Sequence, residues 1–239
     1  MTEHRRQRRR GRGVNVHIVL FNPNSNEATT DTMVAIAREA AAGSAMITGR
    51  TAPFGARMIV DQTALSKSGE AIAQMAKDLA AEIAAGRQRV DAVIVSAFGD
   101  PGLDAARDAL PCPVIGIGEA GMAEAAAGGR PFAVVTTTPG LVEAINARAA
   151  ALGYTAQFRG TRLTEGDPTE LTAAPARLEA ALAAAVDASV EEDGAEAVII
   201  GGGPLARVAK LLTPRSAVPI IEPVPAAIRR ALTLSAAAA

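Results

Sequence analysis

Two stretches of this chain end a run of branched apolar residues in the same kind of sharp turn: Val93-Ile94-Val95-Ser96-Ala97-Phe98-Gly99-Asp100-Pro101 and Val198-Ile199-Ile200-Gly201-Gly202-Gly203-Pro204. Short, wholly apolar runs bounded by turn residues read as strands buried on both faces, as in a parallel sheet covered by helices. The similarity extends beyond the turns. Ala97 falls on Gly202 at an offset of 105, Pro113-Val114-Ile115 on Pro219-Ile220-Ile221 at 106, and Asn22-Pro23 on Thr138-Pro139 at 116. Self-similarity at this spacing predicts an internal duplication, two pseudo-equivalent α/β lobes in one chain.

The pattern between these landmarks agrees. Apolar spacing predicts strand 16–21, helix 27–42, a weaker strand 45–51, helix 69–85, strand 92–96, a short helix opening at Asp100-Pro101, strand 114–117 and helix 118–127. The second half repeats the order with strand 131–137, helix 141–152, weak strand 157–163, helix 174–190, strand 197–200, helix 205–212, strand 219–221 and helix 226–232. Strands that alternate with helices imply parallel sheets joined by right-handed crossovers. The expected fold is therefore α/β, with two pseudo-symmetric Rossmann-like lobes. Residues 14–110 closed by 220–239 make the first, and residues 111–219 the second. Ligands in such sheets bind beyond the carboxyl ends of the strands. That rule gathers the turns 22–25, 97–100, 136–140 and 201–204 around one cleft between the lobes.

Composition narrows the chemistry. At 239 residues, 49% apolar and 21% charged, the chain can bury a sizeable core, which must be aliphatic because aromatics reach only 3% and Trp is absent. No run of about 18 apolar residues occurs, and the arginine-rich start is not followed by an apolar signal segment, so a cytoplasmic protein with no membrane partner is expected. The single cysteine, Cys112, excludes an intrachain disulfide. Two histidines, His4 and His17, leave no basis for a histidine or cysteine metal centre. Residues 1–13 carry six arginines against one glutamate, so a net charge of −1 leaves the remainder near −6. This stretch is expected to be a disordered basic tail that attracts nucleic acid only non-specifically, by counterion release. The glycine run 201–203 lacks both the spaced glycines of a dinucleotide fingerprint and the lysine of a phosphate loop. Its N–H groups are suited instead to a carboxylate or a ring carbonyl.

The strand end Asn22-Pro23-Asn24-Ser25, the segment Ala97-Phe98-Gly99-Asp100-Pro101-Gly102-Leu103 and the glycine turn around 202 resemble the aspartate/glutamate/hydantoin racemase superfamily over residues 14–232. The hydantoin and allantoin racemases are the branch it looks most similar to. The resemblance implies a racemase or epimerase acting on a small amino-acid-derived carbonyl compound (hydantoin, allantoin or amino acid) by α-proton transfer without a cofactor. It also implies a homo-oligomer, and a small-molecule ligand held by Asn22, Ser25, Phe98, Gly99, Thr137, Thr138 and Gly203. In that family two thiols face each other across the substrate, one removing a proton and the other delivering one. The corresponding positions here are Ala97 and Gly202, and neither side chain can carry a proton. Two-cysteine racemisation is excluded for this sequence. Cys112 does not replace them: it precedes strand 114–117, at the amino end of the sheet and roughly 15 Å from the cleft at ~3.3 Å per residue, and reads as small apolar filler.

If protons are moved, carboxylates must stand in for the thiols. Asp100 is expected to N-cap the short helix after it. Glu119 opens helix 118–127, where a carboxylate suits the helix dipole. Glu222 ends the last strand at the position matched by Gly116 in the first half. His17, inside the first strand, reads as a hydrogen-bonded core histidine. A second functional class remains open, a catalytically silent ligand-binding protein that kept the cleft and lost both thiols. A decarboxylase or lyase of the same superfamily is a third.

Overall fold

A computed structural model of the chain describes residues 16–202 and 205–237; the expectations for the basic tail and for Gly203 lie outside the described residues. β1 (His17–Asn22), β2 (Met46–Thr51), β3 (Ala92–Val95) and β4 (Val114–Gly116) form one sheet in the order β2-β1-β3-β4. β5 (Phe132–Thr136), β6 (Phe158–Leu163), β7 (Ala197–Ile200) and β8 (Ile220–Ile221) form the other in the order β6-β5-β7-β8. Every pairing is parallel. The helices are α1 (Glu27–Ala41), α2 (Gln62–Ala84), α3 (Leu103–Ala109), α4 (Ile117–Ala125), α5 (Val142–Ala151), α6 (Pro168–Ala173), α7 (Pro175–Glu191), α8 (Ala206–Leu212) and α9 (Pro223–Ala237). Two parallel sheets of identical strand order are the α/β architecture expected from the sequence.

Strand register refines the match between halves. Val95 pairs with Phe21, and Ile200, 105 residues later, pairs with Val135. β1 and β5 are therefore related by 114 residues rather than 116, so Asn22 corresponds to Thr136. The prolines of the two turns do not coincide, because the second turn reaches its proline two residues later. Continuing the β7–β8 register by one residue makes Glu222 the counterpart of Gly116 in the other half.

The sheets also divide the chain differently from the expected lobe boundaries. β4 pairs with β3 and β8 with β7, so residues 114–116 belong with the first sheet and 220–221 with the second. Each of these short strands closes its own sheet, and only the helix after it crosses over. α4 packs on α5, β7 and β8 of the second lobe; α9 packs on α1, β3 and β4 of the first; and the two helices lie against each other. One apolar layer results. It holds Ile94 and Ile115 from the first sheet, Phe132 and Ile199 from the second, Met122 from α4 and Ile228 from α9. Separate outer cores lie beneath α2 and α3 on one lobe and beneath α7 and α8 on the other. Strand residues alternate between the shared layer and their outer core, as the pleat requires.

α2 begins seven residues before the expected start at Gly69. Asp61 caps it, accepting the Ala64 N–H at 2.8 Å. Gly69 marks a contact instead of a boundary: a Cβ on Gly102 would lie 2.6 Å from the Gly69 carbonyl oxygen, so helix backbone meets the turn after β3. Among the described residues no helix is long and apolar enough to cross a membrane.

Because the middle layer belongs to both lobes, Ile228→Ala should lower unfolding stability by about 2–5 kcal/mol. Hydrogen exchange followed by mass spectrometry should then show both sheets losing protection together; loss confined to the first lobe would contradict a shared core.

Candidate functional site

The turn after β3 is held by a charge that crosses between the lobes. Asp100 donates its N–H to the Ala97 carbonyl at 2.9 Å and sits at φ +47°, an unfavourable backbone for a non-glycine residue. Its carboxylate, 0% exposed, does not cap the helix that follows it, since α3 starts only at Leu103 after Gly102. It accepts instead the N–H groups of Gly118 and Glu119 at the start of α4, both at 2.8 Å. The expected N-cap is thus a cap, but of a different helix. Gly116 makes room for it, as a Cβ there would fall 2.2 Å from Asp100 Oδ1. From α5 in the second lobe, Arg148 donates Nε to Asp100 at 3.0 Å and Nη2 to Glu119 at 3.3 Å. Glu119 also accepts from Arg107 and from the Gly116 N–H.

Burial pushes the Asp100 carboxyl up to about 6, against the pull of Arg148 and the two N–H groups. Since the folded value lies above the ordinary 3.8, this group favours the fold most below 3.8, and that contribution is lost as pH rises through 6. Removing the nearby positive charge moves the folded value further up. Arg148→Met should therefore cost about 3–5 kcal/mol near pH 8, where a buried carboxylate is left unpaired, and distinctly less near pH 5, where Asp100 takes up a proton. Urea unfolding at the two pH values checks this; an equal loss at both would refute it.

The four strand-end turns offer fewer free side chains than the sequence implies. Asn22 is fully buried and organises its own turn: Nδ2 donates to Asn24, Asn26 and Thr30, and Oδ1 accepts the Asn24 N–H. Ser25 is tied to the loop after β2, donating Oγ to Gly55 O and its N–H to Ala56 O, each at 3.1 Å. Gly99 lies under α2, where a Cβ would press on Leu65 at 2.9 Å. Phe98 is buried as a wedge between lobes, its ring 3.4 Å from where a Cβ on Gly201 would sit. The hydroxyls of Thr137 and Thr138 bond to no described residue, nor does the Nδ2 amide of Asn24, a residue not among the expected ligand contacts. The N–H groups of Ala97, Phe98, Gly99 and Gly202 also find no acceptor among the described residues. A set of unpaired amides at strand ends suits a carbonyl or oxyanion.

The wedge fixes how Ala97 and Gly202 relate. Ala97 precedes Phe98 and Gly202 follows Gly201, so the positions flank one contact between the lobes. They differ in what they tolerate. Ala97 is half-buried with ordinary backbone, whereas Gly202 is at φ +145°, and a Cβ there would meet the Leu205 side chain at 3.2 Å. Gly202→Cys should cost about 1–3 kcal/mol through backbone strain, and Ala97→Cys less than about 0.5 kcal/mol. Melting temperatures of the two single variants distinguish these; equal values would show that the glycine turn relaxes freely.

Glu222 follows β8, next to the end of β7. It is half-buried, and its Oε2 is enclosed with no hydrogen-bond partner among the described residues. Burial raises its carboxyl above the usual range, with Lys210 and Arg229 opposing and Glu39 adding to the rise. His17 is hydrogen-bonded as expected but half-buried rather than in the core: Nδ1 donates to Arg89 O and Nε2 accepts from Thr48 Oγ1, both at 2.8 Å. Burial pushes the Cys112 thiol up to about 11, far from a working nucleophile. Among the described residues no group of three or more His, Cys, Asp or Glu side chains could hold a metal ion.

Two four-stranded parallel α/β lobes that share one apolar layer define a two-lobed α/β class of protein. Within that class the chain belongs to the Asp/Glu/Hydantoin racemase family, whose model matches residues 18–231. It is 33% identical over 220 residues to the hydantoin racemase of Rhizobium meliloti, covering 92% of this chain and 88% of that one. Its fold is similar to that of the allantoin racemase from Klebsiella pneumoniae, with a TM-score of 0.84, 28% identity and coverage of 93% and 89%. The allantoin racemase from Pseudomonas fluorescens follows at 0.83, with 26% identity and coverage of 93% and 92%.

Proposed function

We propose that the protein is a racemase or epimerase that moves the α-proton of a small amino-acid-derived carbonyl compound, of the hydantoin, allantoin or amino-acid kind, without a cofactor. The observation that carries this reading is the Phe98–Gly201 contact, which brings together two strand-end turns with unpaired amides. Removing an α-proton leaves an enolate, and amides aimed at its oxygen lower the barrier without any side-chain chemistry. With alanine and glycine at the thiol positions, a carboxylate has to take the proton. Asp100 and Glu119 are engaged in capping and in ion pairs. Glu222 keeps an oxygen free, and its raised pKa moves it toward the range in which a carboxyl accepts and returns protons near neutrality. Glu222 takes the proton from one face, a solvent water gives one to the other face, and the hydroxide that remains is neutralised by the proton that Glu222 then releases. A cytoplasmic homo-oligomer is part of this reading.

The positive-φ backbone of Gly202, which disfavours any side chain at that position, favours a second reading, a protein that binds the same compounds without turning them over. Proton NMR in deuterated water with 5-methylhydantoin, allantoin, aspartate and glutamate separates the two. Protein-dependent loss of an α-proton signal, slowed at least ~100-fold by Glu222→Gln, is the expected result. A raised melting temperature without exchange would identify a binding protein, a released product would identify a lyase, and silence in both would sink the substrate class.

A further inference from the structure

Glu222 stands at the junction of β8 and α9, where helices of both lobes meet. α8 packs against β8, and α1 against α9. Besides burial, the charges that act on its carboxyl are Lys210 of α8, Glu39 of α1 and Arg229 of α9. Neither cation bonds to it. Lys210 donates to Glu39 at 2.5 Å, in an ion pair that joins the lobes, and Arg229 clasps Glu124 of α4 through hydrogen bonds of 2.7 and 3.0 Å. Glu119, the other acid of α4, is turned to Arg107 and Arg148. A cation beside an enclosed carboxylate normally bonds to it and fixes it in the ionised form. Here each cation is taken by a second carboxylate, and Glu222 Oε2 is left enclosed with no partner among the described residues. Folding does not explain the Glu39–Lys210 pair, because the glutamate side chain is 70% exposed and the lysine 38%, and exposed pairs add little stability.

We propose that Glu39 and Glu124 are positioning residues for Glu222: by holding Lys210 and Arg229 on themselves, they keep the Glu222 carboxyl unpaired and able to take up and release a proton. This role rests on the reading of Glu222 as the base, and adds what keeps it one. The signs follow from the charges. Removing the Glu39 charge takes a negative neighbour from Glu222 and frees Lys210 to turn to it, and both changes favour the ionised carboxyl. Removing the Lys210 charge acts in the opposite sense. A bridge that served only to hold the lobes together would give like effects for the two losses, because each breaks the same bond.

The test is carbon NMR of the full chain, isotope-labelled at the glutamate carboxyl carbons and titrated with acid and base. The resonance missing from Glu222→Gln belongs to Glu222. Its midpoint is compared in the wild type, Glu39→Gln, Glu124→Gln, Lys210→Met and a control, Arg177→Met, which loses a cation paired with Glu170 on α6. The expected result is a midpoint lowered in Glu39→Gln and Glu124→Gln, raised in Lys210→Met and unmoved in the control. Protein-dependent α-proton exchange of 5-methylhydantoin, allantoin, aspartate and glutamate follows the same order: its rising limb moves to lower pH in Glu39→Gln, to higher pH in Lys210→Met, and the plateau in Glu39→Gln is roughly 3–10-fold slower. Midpoints that stay in place, or move the same way in Glu39→Gln and Lys210→Met, overturn the positioning role alone. Opposite shifts in a protein that exchanges no α-proton support the hold on Glu222 and overturn the racemase reading instead. Exchange that persists undiminished in Glu222→Gln overturns both.

Discussion

The cleft depends on the apolar layer that the two sheets hold in common. Ile94 and Ile115 on one side, Phe132 and Ile199 on the other, are sealed by α4 and α9 into a single core, so neither lobe has a complete interior of its own. Hydrophobic burial is non-directional, but helices that cross from one lobe to cover the other give it a direction. The turns after β3 and β7 are carried on strands whose inner faces lie in that layer. Their separation is therefore set by packing and not by a flexible linker. Asp100 and Arg148 add a different kind of constraint at the edge of the layer. An ion pair buried there adds little net stability compared with an apolar pair, yet losing one partner is costly. It restricts which arrangement of the lobes is tolerated.

The proposed reaction separates two duties and uses no thiol. In the proposed reaction, stabilising an enolate falls to backbone amides at the strand ends, which any residue can supply, while removing the proton falls to side chains. Ala97 and Gly202 lack the second capacity, but the amides at 97, 98, 99 and 202 remain unpaired. The electrostatic part of the chemistry thus survives changes in the proton-carrying part. Glu222 enters from β8 at the place where the first lobe has only Gly116, so the two halves now differ in which strand offers a carboxylate toward the end of the sheet.

The strands were legible in the sequence because their apolar runs are short, branched and bounded by turns, and the parallel two-lobed fold followed from their alternation with helices. Features set by contacts distant in sequence were not. Asp100 followed by Pro101 has the local signature of an N-cap, but its partner helix lies eighteen residues on. Gly69 looked like a boundary because the chain it touches, at Gly102, could not be seen. Asn22 and Asn24 are chemically alike, and only the three-dimensional turn shows that the first is consumed and the second keeps a free amide. The lobe boundaries slipped because a strand two or three residues long gives no sign of which sheet it joins.

The crossing of α4 and α9 also says what half of this molecule would be. A lobe cut free after the helix that follows its last strand would expose the face that the other lobe's helix covers, while its own final helix would extend outward with its apolar side uncovered. Two such halves would complete each other only by exchanging those helices about a two-fold axis. This is the geometry of a domain-swapped dimer. In this chain the exchange is intramolecular, so an arrangement that would depend on protein concentration in separate halves is independent of it here.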